Sequence, residues 1–332
     1  MFTLSILDPT PIRTGQTAAA ALDETRALAE LGDQLGYRAY WVQEHHNTAS
    51  FAGTAPEVLI ADLAARTRKI RVGSGGVMLP NYSPLKVAEQ FMTLSALNAG
   101  RIDLGIGRAT GADPRTSAAL LGPGAQSFPA LFQLLKDWLL EAAGTPLPDN
   151  HKAVGIHARP MAGLPDLWLL ASSAESAAYA GAVGVKLAFA EFLSPTGAAE
   201  AIAAYRDSFS PSRFCATPHA AIGTLALAAD TEADAEREAR VGLAWNVVRA
   251  TGRFAPFPSP EEADAILARA DTALLPTLRA RNLSGTAVDV AQTLRSHMSE
   301  INADEAFVLT ISATIPARAR SYQLLMQAWR DR

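Results

Sequence analysis

The chain has 332 residues, 49% of them apolar, and a formal net charge of −4. That length supports a large core without staples, and the single cysteine, Cys215, excludes an intramolecular disulfide and fits a reducing cytoplasm. The acidic balance argues against broad nucleic-acid binding, no signal-peptide pattern opens the chain, and no apolar run reaches the roughly 20 residues that cross a bilayer. A small-molecule ligand is the default.

Strand-like and helix-like segments alternate from end to end. Phe2 to Leu7 reads as a short buried strand. Thr17 to Leu35 carries Ala21, Leu28, Leu31 and Leu35 at helical spacing and stops before Gly36. Ala39 to Val42 is the second strand, followed by a helix from Pro56 to about Thr67 with proline in its first turn. Ile70 to Ser74 is the third strand and Pro84 to Leu97 its helix. Arg101 to Ile106 is the fourth strand. Gly111 to Ser127 reads as a loop or frayed helix, and Phe128 to Ala142 as a helix. Gly144 to Pro165, rich in proline and glycine, predicts an extended excursion or a small hairpin.

Leu167 to Ala171 is the fifth strand, with a helix of small residues from Ser173 to Val183. Val185 to Ala190 is the sixth, with a helix from Pro195 to Phe209. His219 to Ala228 is the seventh, with a charged helix from Thr231 to Arg249. Ala306 to Ile311 is the eighth, and Ile315 to Trp329 closes the chain as a helix. Thr251 to Arg281 is an extra segment whose opening, Gly252 to Pro258, reads as a mobile aromatic lid over a pocket. Eight strands with intervening helices predict an α/β fold: one (β/α)8 barrel domain over residues 1–332, with inserted loops after strands 4 and 7. A doubly wound open sheet is the alternative.

Chemistry-bearing residues gather just after the strands. His45 and His46 follow the second strand, where a neutral imidazole moves protons near pH 7; the bland reading is two loop histidines with local hydrogen bonds. A metal site is not expected, because adjacent residues on extended chain point opposite ways and no third ligand is evident. Gly75 and Gly76 fit either a tight turn or a backbone wall for a planar ring. Arg108 after the fourth strand suits a phosphate or carboxylate, or an ion pair with Asp103 or Asp113. Ser172, Ser173 and Ser176 open a helix after the fifth strand, and serve equally as N-caps or as phosphate ligands. Gly105 and Gly107 lack the rest of a dinucleotide fingerprint. Cys215 reads as packing or surface. Trp41, Phe51, Met78 and the Phe254 to Phe257 segment could wall an apolar pocket, or simply pack the core.

Four stretches together carry a family resemblance: Tyr40-Trp41-Val42-Gln43-Glu44-His45-His46-Asn47, Val72-Gly73-Ser74-Gly75-Gly76-Val77-Met78-Leu79-Pro80, Ser83 to Gln90, and Gly100 to Arg108. They resemble the luciferase-like flavin monooxygenases, densely from about Tyr37 to Asp113 and in pattern over nearly the whole chain. The resemblance implies a TIM-type barrel binding reduced FMN (FMNH2) at its C-terminal face. It also implies reaction with O2 to a flavin C4a-hydroperoxide that oxygenates a small hydrophobic organic substrate. A separate flavin reductase would supply the FMNH2, and a homodimer is expected. His45 matches the family's catalytic histidine, and Gly75-Gly76 the dipeptide against the flavin ring, often joined by a non-proline cis bond. Arg108, Ser173 and Ser176, with Ser172 alongside, match the phosphate site. Three departures from luciferase argue against light emission: Gly107 replaces a reactive cysteine, Gly111 an aromatic residue and Ser172 an acid. Two rival readings use the same barrel: a deazaflavin-dependent hydride transferase and a non-catalytic flavin-binding protein.

Overall fold

The computed structural model describes residues 2–109, 111–120 and 127–331. The first half alternates as expected: β1 (Thr3–Asp8), α1 (Ala18–Leu35), β2 (Ala39–Val42), α2 (Pro56–Arg66), β3 (Arg71–Met78), α3 (Pro84–Leu97) and β4 (Ile102–Gly107). Then come α4 (Pro114–Leu120), α5 (Phe128–Ala142), β5 (Asp166–Ala171), α6 (Ala174–Ala182), β6 (Lys186–Ala190), α7 (Ala198–Asp207) and β7 (Ala220–Ala229). After β7 the pattern is interrupted. α8 (Glu232–Ala250), α9 (Pro260–Leu267), α10 (Leu275–Arg279), β8 (Asn282–Thr286) and α11 (Ala287–Glu300) precede β9 (Glu305–Leu309) and α12 (Ile315–Arg330).

Parallel pairing runs from β1 through β2, β3, β4, β5, β6 and β7 to β9, which returns to β1. The ring is therefore a closed (β/α)8 barrel, and the open doubly wound sheet is excluded. β7 has two jobs. Its first part pairs with β6 and β9, and Leu225 to Ala229 pairs with β8, which lies outside the ring.

The period-2 alternation of each strand sorts its side chains into two layers. Leu4, Ile6, Tyr40, Val42, Leu104 and Ile106 pack outward against the helices. Leu7, Ala39, Trp41, Trp168 and Phe307 fill the barrel interior. There Trp41 stacks on Phe307 with centroids 3.8 Å apart and meets Trp168 edge-on at 5.1 Å. Below them, at the N-terminal end, Asp103 and Glu305 are wholly buried. Arg71 and Arg38 meet these carboxylates at 2.6 and 3.1 Å, and Trp41 Nε1 donates to Asp103 at 2.9 Å. Burial alone would raise the Glu305 pKa; Arg38 and His219 outweigh it and keep the group ionised.

Several expectations need correction. The third strand does not end at Ser74 but continues to Met78, with a register shift against β4 between Gly75 and Val77, so Gly75-Gly76 is not a turn. Asn282 to Glu300, unassigned from sequence, forms β8 and α11. Residues 143–165 contain no strand; His151 and His157 tie this stretch to Asp137 and Glu141 on α5. The expected mobile lid is stitched down. Phe257 is buried, its N–H donates to Ile12 O and its carbonyl accepts from Thr14 N, whereas Phe254 stays exposed. Within 111–127, Pro114–Leu120 form α4 after a short loop, in line with the expected loop or frayed helix, and 121–126 lie outside the described residues. No helix is long and apolar enough to cross a membrane among the described residues.

Candidate active site

Each residue matched to a catalytic or cofactor-binding role stands at the C-terminal end of a barrel strand: His45 past β2, Gly75 and Gly76 in the last half of β3, Arg108 directly after β4, and Ser172, Ser173 and Ser176 after β5. The four strands are consecutive neighbours in the ring, so these residues share one rim.

Glu44 organises the first of these strand ends. It is buried, and its carboxylate accepts hydrogen bonds from Met78 N (2.9 Å), Asn81 Nδ2 (3.1 Å) and the Tyr82 hydroxyl (3.0 Å). His46 Nε2 lies 2.8 Å from the same carboxylate. The β2 end is thereby tied to the β3 end, and the two histidines part company. His46 is held by Glu44, while His45 turns toward a cavity with its Nδ1 shielded from solvent and unpartnered. Burial, then the nearby His46 and Arg249, lower the His45 pKa from the ordinary 6.5 to about 4, so the ring is neutral at pH 7.

The glycines have a packing reason of their own. A Cβ on Gly75 would lie 2.7 Å from the Leu7 side chain, and one on Gly76 would lie 2.7 Å from the carbonyl oxygen of Gly105. The peptide bond joining them is cis. Gly75 also faces a small recess of about 30 Å³ at the top of the barrel interior, with Leu7, Trp41, Leu170, Phe192 and Phe307. Trp41 is part of the barrel core and borders this recess, and it does not line the main cavity. Gly111 sits at φ +64°, where a Cβ would approach Glu44 O at 2.9 Å, which accounts for glycine at this position.

Arg108 is exposed and has no hydrogen-bond or ion-pair partner among the described residues. Neither acid considered for it is its partner: Asp103 lies at the opposite end of the barrel with Arg71, and Asp113 bonds Asn47 and Thr116. Ser173 caps α6, accepting from Ser176 N at 3.3 Å, with its Oγ 3.1 Å from Ser176 Oγ. Ser172 is exposed beside it. A free guanidinium and three hydroxyls at adjoining strand ends, one pair at a helix N-terminus, suit a phosphate dianion.

On the other side of His45 lies the main cavity, of about 760 Å³, between the barrel rim and α8, β8 and the 251–281 segment. It holds His45 but not Gly75, Arg108 or the serines. Its aromatic wall is continuous. Phe51 lies 4.5 Å from the His45 ring, Trp245 and Phe257 stack at 4.8 Å, and Phe51 touches both. Trp245 Nε1 donates to Ala255 O at 3.0 Å, and Ser50 Oγ donates to the same carbonyl at 2.7 Å. Met78 is absent from this lining and packs by Gly107 instead. Trp245, Leu225 and Leu309 were not singled out from sequence, because their helical or strand spacing marks them only as core.

A sequence profile described as luciferase-like monooxygenase matches residues 2–304. The chain belongs to the luciferase-like monooxygenase family. A luciferase-like monooxygenase of Escherichia coli (strain K12) is 37% identical, aligned over 97% of this chain and 95% of its own length. The N-acetyl-S-alkylcysteine monooxygenase of Bacillus subtilis (strain 168) is 36% identical over 99% of this chain and 98% of its own. The crystal structure of apo-MsnO8 superimposes with a TM-score of 0.91 at 34% identity, covering 99% of this chain and 98% of that one. For this luciferase-like chain, the barrel and the family expected from sequence both stand.

Proposed function

We propose that the protein is an FMNH2- and O2-dependent monooxygenase of a small, largely hydrophobic organic substrate, with FMNH2 supplied by a separate flavin reductase. The observation that carries this reading is the rim itself: an unpaired Arg108 and the Ser172, Ser173 and Ser176 hydroxyls on two strand ends, with an unpartnered, neutral His45 two strands away. The residues fit FMN. Arg108 and the three serines would hold its phosphate, and the Gly75–Gly76 backbone would lie against its ring. Bound reduced flavin supplies two electrons to O2, so that one oxygen atom enters the substrate and the other leaves as water. His45 would hold or accept a proton beside the reacting edge, its Nδ1 having no competing partner. The aromatic wall of Phe51, Trp245 and Phe257 would exclude water and receive the apolar body of the substrate.

The test is anaerobic titration with photoreduced FMN, followed by an air pulse in the presence of candidate sulfides, aldehydes and ketones. Wild-type protein is expected to bind FMNH2 stoichiometrically and return oxygenated product with little H2O2. His45→Ala is expected to keep binding FMNH2 while releasing its reducing equivalents as H2O2. No FMNH2 binding overturns the reading. Anaerobic turnover with reduced deazaflavin and no need for O2 replaces it with hydride transfer, and stoichiometric binding without oxygenation of any substrate leaves a flavin-binding protein.

A further inference from the structure

The large cavity carries positive charge that its apolar wall does not require. Arg249 on α8 and Arg281, just before β8, both line it, and both are partly buried. Among the described residues neither has a carboxylate within ion-pair distance. The Arg249 guanidinium lies 5.7 Å from the centroid of the Trp245 ring, and Arg281 Nε is shielded from solvent without a hydrogen-bond partner. Burial and then Arg281 lower the Arg249 pKa, and Arg249 is one of the charges acting on His45. Both arginines share one cavity with His45.

The other charged lining groups do not neutralise them. Arg240 is paired with Asp264 at 2.6 Å. Glu232, exposed, accepts from Thr286 N at 3.1 Å, and Glu236 and Arg279 are exposed. Two like charges partly withdrawn from water repel one another and lose hydration, and an anion between them reverses both costs. Planar guanidinium forks match the planar carboxylate group best, and the rest of the wall is apolar.

We propose that the cavity selects substrates bearing a carboxylate, clamped between Arg249 and Arg281, with their apolar body along Phe51, Trp245 and Leu309. The proposal deepens the functional reading above and rests on it, since it takes this cavity to be the substrate side of His45. FMN's own phosphate is the competing source of negative charge.

The probes are 4-phenylbutanoate and its neutral amide, titrated calorimetrically into the apoprotein at pH 8, with FMN binding followed separately by fluorescence quenching. The acid is expected to bind at least about tenfold more tightly than the amide, the usual scale of a charge-assisted contact. R249Q/R281Q is expected to lose that preference while keeping its affinity for the amide and for FMN. Arg281→Lys, which preserves charge but not the fork, is expected to keep part of it. Retained amide binding shows that the double variant is folded. Equal binding of acid and amide by wild type, or a preference that survives in the double variant, overturns the proposal. Loss of FMN affinity in the double variant also overturns it, by assigning the pair to the cofactor's phosphate. A wild type that prefers the acid but binds no FMNH2 in the anaerobic titration overturns the functional reading and leaves the anion site standing.

Discussion

His45 is the residue on which the proposed chemistry turns, and its protonation has a measurable cost. The folded-state pKa, about 4, lies below the ordinary 6.5, so the unfolded chain binds the proton first as pH falls. The stabilisation associated with the neutral ring is complete above pH 6.5 and is lost progressively between 6.5 and 4. At pH 5 the loss is on the order of 1–2 kcal/mol, allowing for the ring's partial exposure to the cavity. Urea denaturation of the apoprotein at pH 7 and pH 5 checks it: wild type is expected to lose that much more stability than His45→Gln. An identical loss in both would place the imidazole in ordinary solvent. The histidine pair was legible in the sequence as a site, and the resemblance pointed to His45, but the residues by themselves did not say which member was free. That choice is made by Glu44, whose carboxylate engages His46 and three further donors from the β3 end, a convergence visible only after folding.

At the scale of elements, β3 and β4 are brought together by their glycines. A Cβ on Gly105 would lie 2.2 Å from the carbonyl oxygen of Ser74, a backbone atom fixed in the ladder. A Cβ on Gly107 would clash with the flexible end of Met78, at 2.7 Å, and touch Val77 O at an ordinary 3.8 Å. Gly105→Ala is therefore expected to destabilise the fold by about 3 kcal/mol or more, and Gly107→Ala by about 1 kcal/mol. Chemical denaturation of both variants checks the order, and equal losses would contradict the packing account. The barrel strands were legible because each is a short apolar run bounded by turn residues. β8, with the sequence Asn-Leu-Ser-Gly-Thr, has no such run; it exists because β7 offers it a free edge. α11 did carry a signal in Val290, Leu294 and Met298 at four-residue spacing, capped by Thr286. The two arginines of the cavity carried none. On α8 and beside β8 they read as solvated charge, and only the fold turns them inward.

For the whole molecule, closure depends on a buried ionic cluster joining the two ends of the chain. Arg318 on α12 is fully buried, donates to Asp8 at the end of β1 (2.8 Å) and to Glu24 on α1 (3.1 Å), and also to Thr310 O (2.8 Å). Burial would raise the Asp8 pKa; Arg318, Thr25 and Tyr40 more than offset it and keep the carboxylate ionised. Arg318→Met leaves Asp8 buried without a cation, while Glu24 keeps Arg13 at 2.6 Å, and is expected to cost about 3 kcal/mol in thermal or chemical unfolding. A loss below 1 kcal/mol would mean that the cluster contributes little to joining the chain ends. The division of β7 has a different consequence. Ring closure uses only its residues 220–225, so the stretch from 226 to 286, which builds most of the large cavity, contributes no strand pairing to the barrel. Changes to the cavity-lining side chains of that stretch would reshape the cavity while leaving the strand ladder of the barrel as it is.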